Sequence, residues 1–84
     1  MKIIIIEDEK PAAEKLLKAL QKIKPDIDTL AILRTVNDSV KWFKANPNPD
    51  LIFMDIELSD GSSLSIFDQV SIQSPVIFTT AYDE

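Results

Sequence analysis

No cysteine and no histidine occur in the 84 residues. The first absence excludes a disulfide framework and thiolate chemistry, and it fits a reducing compartment. The second removes the commonest general base and the usual transition-metal ligand. There is one glycine, Gly61, so no glycine-rich phosphate loop exists and dinucleotide binding is not expected. Basic residues are scarce, 9 against 14 acidic ones, giving a net charge of -5. Phosphate contacts need clustered Lys and Arg, so this segment is not expected to bind nucleic acid. No apolar run approaches the roughly 20 residues that span a bilayer. The start, Met1 to Ile6, turns acidic at Glu7 without a long apolar region or cleavage site of a signal peptide. A soluble cytoplasmic protein with no membrane contact is the expectation.

The residues present describe one globular domain at most, residues 1–84. The apolar share of 45% is too high for a disordered chain. Short apolar runs alternate with amphipathic stretches. Ile3 to Ile6 is β-branched at every position, so both faces of that strand need cover. That is the pattern of a central parallel strand. Pro11 stands where a helix's first turn tolerates it. Ala12, Ala13, Leu16, Leu17, Leu20 and Ile23 then follow at helical spacing, and Pro25-Asp26 ends the helix. Thr29 to Leu33 reads as a second strand. Val36, Val40 and Phe43 mark one face of a second helix, which stops before Asn46-Pro47-Asn48-Pro49. Leu51 to Met54 is a third strand and runs into Asp55. Asp60-Gly61 is a turn signal, Leu64, Phe67 and Val70 suggest a short third helix, and Val76 to Phe78 is a fourth strand. Trp42, off the apolar face of the second helix, is expected to be partly covered.

Strands alternating with helices imply right-handed crossovers and a parallel sheet. The first and third strands, the most apolar early ones, should be central neighbours. The expectation is therefore an α/β, flavodoxin-like sheet of strand order 2-1-3-4. In such sheets the ligand crevice lies beyond the carboxyl ends of the strands, at the switch point between strands 1 and 3. Glu7-Asp8-Glu9 follows strand 1 and Asp55 follows strand 3, so these carboxylates should converge. Crowded like charges call for a cation, and Mg²⁺ fits, binding one or two carboxylates while keeping several waters. Another divalent ion such as Mn²⁺ would meet the same need. Thr79 and Thr80 end strand 4 on the same side, where a hydroxyl can donate to a phosphoryl oxygen. Taken alone, Asp8 reads equally well as a helix cap, and the Glu9 and Glu57 side chains as solvated.

These segments carry a family resemblance. The run IIIIEDE resembles the opening of response-regulator receiver domains, and LIFMDIELSDG resembles their phosphoacceptor segment. FTTAYDE is similar to the end of the fourth strand in receivers of the LytTR branch. The resemblance runs in order along all 84 residues. It implies Asp55 as phosphoacceptor, Asp8 as direct metal ligand and Glu7 as an acid acting through water. It also implies a metal contact from the backbone carbonyl of Glu57, and Thr80 as the hydroxyl that senses the phosphoryl group, beside small Ala81. Tyr82 does not match the family's switch aromatic. Ser59 stands where many receivers carry Pro, so that loop is expected to be looser. The implied partner is a sensor histidine kinase, and the chain is not expected to be an enzyme in its own right.

The family also has a fifth strand, ending in a lysine, and a further helix. The sequence stops before both, so the expectation is an incomplete receiver from a longer regulator, with DNA binding left to a C-terminal domain beyond this segment. An apolar fourth strand at an open edge invites pairing, and self-association through it or through the uncovered sheet face is expected. Two alternatives remain. One is an interaction module that takes no phosphate. The other is an aspartyl phosphatase of the haloacid dehalogenase type, which Asp55-Ile56-Glu57 imitates loosely. Turnover of a phosphomonoester would favour the phosphatase, and stoichiometric labelling of Asp55 the receiver.

Overall fold

A computed structural model describes residues 1–79. Five consecutive β-capable residues, Lys2–Ile6, form β1, and Ile3, Ile4, Ile5 and Ile6 are all fully buried. Such burial on both faces requires a layer above and below. Helix α1 (Lys10–Ile23) supplies one layer, and α2 (Val36–Ala45) with α3 (Ile66–Gln69) the other. Strands β2 (Asp28–Leu33), β3 (Leu51–Asp55) and β6 (Val76–Thr79) complete a four-stranded sheet of order β2-β1-β3-β6. All its pairings are parallel. The expected order 2-1-3-4 is therefore observed, with β6 in fourth place. The two-residue strands β4 (Glu57–Leu58) and β5 (Gly61–Ser62) make a separate hairpin.

The alternation of β1 and β3 divides the core. Ile3, Ile5 and Phe53 face Ala13, Leu16, Leu17 and Leu20 of α1. Ile4, Ile6, Ile52 and Met54 face Val36, Val40 and Phe43 of α2 together with Leu58 and Ile66. Trp42 is partly covered, as expected, and meets Phe43 edge-on with ring centroids 5.2 Å apart. No described helix is long and apolar enough to cross a membrane.

Two expectations need correction. Ile23 does not join the buried face of α1; it is 81% exposed. It is the last residue of the helix and lies at the margin of the apolar stripe, so it runs past the sheet. The third helix follows the expected row only in part: Val70 packs against the core, but the other two positions do not. Leu64 and Phe67 are 48% and 39% exposed, whereas Ser63 and Ile66 are fully buried. The segment opens as a 3₁₀ turn, Ser63–Ser65, before one α-turn, and that change of pitch rotates the Leu64–Phe67 row outward.

Helix α2 owes its start to a residue far away in sequence. The Asp60 carboxylate accepts the Val36 N–H at 2.8 Å and the Asn37 N–H at 3.1 Å. Thr35 Oγ1 accepts the Asp38 N–H at 3.0 Å, and the Thr35 carbonyl accepts the Ser39 N–H. The N–H groups of Val36, Asn37, Asp38 and Ser39 are thereby all satisfied. Asp60 thus does more than turn the chain: it fastens the β4–β5 hairpin to α2. The loop around Ser59 is the turn of this hydrogen-bonded hairpin. The next residue, Gly61, has φ +140°, a conformation open to glycine and strained for other residues.

Candidate functional site

The sheet order brings the carboxyl ends of β1 and β3 side by side. Ile6 pairs in register with Met54, so the residues following them, Glu7 and Asp55, stand next to each other. Glu7, Asp8 and Asp55 each offer a carboxylate oxygen, and these oxygens lie within 4.8 Å of one another. Glu7 and Asp55 are both only 6% exposed, and Asp8 is partly covered. Burial pushes the Glu7 carboxyl up to about 7; the negative charge of Asp55 adds to this, against the lowering effect of a hydrogen bond from the Glu9 N–H.

Backbone contacts hold this arrangement in place. The Glu7 N–H donates to the Leu33 carbonyl at 2.9 Å, extending the β1–β2 pairing by one residue. The Glu9 N–H donates to Glu7 Oε2 at 3.1 Å. The Glu57 N–H approaches Asp55 Oδ1 at 3.4 Å. On the outer side, Arg34 donates from Nε and Nη2 to the Asp8 carbonyl, at 3.2 and 2.9 Å. Arg34 and Asp8 line a crevice of about 330 Å³ with Thr35, Asp38 and Ser59.

The capping role for Asp8 does not materialise. The N-cap of α1 is Glu9, and no side chain caps that helix. The side chains of Glu9 and Glu57 are exposed, and that of Glu57 stands outside the carboxylate group. Thr79 is the in-register partner of Asp55 on β6. Thr80, with Ala81 and Tyr82, lies outside the described residues. Sequence reasoning missed two residues around the site, Arg34 and Asp60. The Asp-Gly pair was a visible signal at the second, though only for a turn; the first had none.

Three hard oxygen donors in one partly covered corner suit a hard divalent cation of the Mg²⁺ kind. Burial is the main reason the Glu7 carboxyl is raised, with the charge of Asp55 adding to it, and a cation at the cluster would favour the charged form.

Comparison with known proteins places this geometry. No family model matches the chain. Over its whole length it is 29% identical to the sensory transduction protein LytT of Bacillus anthracis, covering 35% of that protein. Over 98% of its length it is 36% identical to the phyllosphere-induced regulator PhyR of Methylorubrum extorquens, covering 31% of it. The chain thus spans about a third of the curated relatives it matches. Among solved structures it superposes along its full length on the N-terminal domain of a response regulator/sensory box/GGDEF three-domain protein from Carboxydothermus hydrogenoformans. The TM-score is 0.81 and the identity 34%, over 67% of that chain.

The chain belongs to the response-regulator receiver family. Its parallel sheet is the flavodoxin-like sheet of receivers, and its acid cluster occupies the strand ends where the topology puts the ligand crevice. As a receiver domain it is a signalling module.

Proposed function

We propose that this receiver takes a phosphoryl group on Asp55 from a phosphohistidine of a sensor histidine kinase. The observation that carries the proposal is the convergence of Glu7, Asp8 and buried Asp55 within 4.8 Å. An oxygen of the Asp55 carboxylate attacks phosphorus in line, the phosphorus–nitrogen bond to the kinase histidine breaks, and the imidazole leaves with its electron pair. Asp8 and Asp55 would hold a divalent cation directly, with the backbone carbonyl of Glu57 and, through water, Glu7 as further donors. When bound, Mg²⁺ or Mn²⁺ supplies positive charge for the phosphoryl oxygens. Thr80 donates its hydroxyl to the phosphoryl group and biases a two-state surface.

In the longer protein that surface controls transcription through a LytTR-type DNA-binding domain. Association of copies belongs to the same proposal. It is supported by Ile77 and Phe78 of β6, the outer strand among the described residues, which are 47% and 43% exposed on opposite faces of the sheet.

Incubation with acetyl phosphate and Mg²⁺ followed by intact-mass analysis tests the chemistry. One added phosphoryl group is expected on the wild type and none on Asp55→Asn. Continuous turnover of a phosphomonoester would indicate a phosphatase instead. A folded wild type that gains no mass would refute phosphorylation and leave the interaction module.

A further inference from the structure

The three clustered carboxylates repel one another, and their arrangement has to be held against that repulsion before any cation arrives. Glu7 and Asp55 are held by the sheet. Asp55 is the last residue of β3, and Glu7 keeps a ladder bond to Leu33. Asp8 has neither support. It lies between β1 and α1, outside both, and the helix that follows has no side-chain cap to draw the loop in. It is therefore the member of the cluster most easily pushed outward.

Its tether comes from β2. Leu33 at the end of that strand takes the Glu7 N–H through its carbonyl, and the next residue, Arg34, grips the Asp8 carbonyl with two N–H groups of one guanidinium. Two successive residues at the end of β2 thus hold two successive residues of the acidic loop. A planar fork fixes direction as well as distance, which a single ammonium donor does not. The crevice beside this contact is lined by both Asp8 and Arg34.

We infer that Arg34 is a positioning residue: it holds the β1–α1 loop so that the Asp8 carboxylate is already in place to take a divalent cation. The inference rests on reading the cluster as a cation site. It makes a prediction opposite in sign to simple electrostatics. Arg34 is a positive charge near a cation site, so if it acted only through its charge, removing it would tighten metal binding. If it positions Asp8, removing it loosens binding.

Calorimetric titration of Mg²⁺ into four proteins separates these outcomes: wild type, Arg34→Ala, Arg34→Lys and Asp8→Asn. Arg34→Ala is expected to raise the Mg²⁺ Kd roughly tenfold, within the range found when partners that orient metal ligands are removed. Arg34→Lys keeps the charge but loses the fork, and is expected to fall between wild type and Arg34→Ala. Arg34 is exposed, so both variants are expected to fold, and urea unfolding in EDTA checks this. Asp8→Asn is expected to lose binding, and that result supports the cluster reading independently. An Arg34→Ala protein that binds Mg²⁺ as tightly as wild type, or more tightly, overturns the positioning role even while Asp8→Asn still fails to bind. Absence of binding by the wild type overturns the cluster reading and the inference with it.

Discussion

Glu7→Gln is expected to stabilise the metal-free domain above neutral pH, and the size of the effect follows from the site. In an unfolded chain Glu7 titrates at its ordinary value of 4.5, and in the fold at about 7. A carboxyl raised on folding binds its proton more tightly in the native state, so its stabilising contribution is full below pH 4.5 and is lost as pH rises to about 7. A tenfold change in proton affinity corresponds to about 1.4 kcal/mol, so the loss has an upper bound of about 3.5 kcal/mol. Solvent reaches the cluster through partly covered Asp8, and screening reduces the expected figure to about 1–2 kcal/mol. Glutamine keeps an oxygen for the Glu9 N–H but carries no charge at any of these pH values. Urea unfolding followed through Trp42, which packs partly against the core, is the assay. In EDTA the wild type should lose stability from pH 5 to pH 8, and Glu7→Gln should lose less and be the more stable protein at pH 8. Mg²⁺ should narrow or reverse that difference, because a bound cation supplies the charge the cluster lacks. Equal pH slopes for the two proteins in EDTA would refute the idea that burial beside Asp55 raises the Glu7 carboxyl.

Asp60 carries the opposite sign. The Val36 N–H, followed by that of Asn37, holds its carboxyl below the ordinary aspartate range, so its contribution to stability is present at neutral pH and is lost as acid protonates it. Asp60→Ala should therefore lower the urea midpoint at pH 7 and matter less near pH 3, with reduced amide-exchange protection at Val36 and Asn37 as the local readout. Gly61→Ala should destabilise by about 1–3 kcal/mol through backbone strain alone, since a Cβ at Gly61 would meet no atom within 4 Å; an unchanged unfolding midpoint would contradict this. Sedimentation velocity should show concentration-dependent association of the wild type. Ile77→Ser together with Phe78→Ser should weaken it, and a wild type monomeric at every concentration would remove β6 as a contact surface.

The sequence by itself determined the sheet. Four apolar runs separated by helical spacing left one economical topology, and the burial of Ile3 to Ile6 on both faces was legible because β-branched residues at consecutive positions have no polar face to turn outward. Asp55 was legible for the same reason, as an acid at the end of a strand that is otherwise buried. Periodicity was a weaker guide where elements are short or end. Ile23 keeps helical spacing yet runs beyond the sheet, and a 3₁₀ turn redirected the row from Leu64 to Phe67. Tertiary structure alone decided the contacts between residues distant in sequence. Asp60 reaches across to the start of α2, and Arg34 to the carbonyl of Asp8, because the crossovers bring those loops to the same edge of the sheet. Neither contact leaves a periodic trace in the chain. A hydrogen bond between residues some 25 positions apart depends on where the backbone goes, and local pattern does not record that.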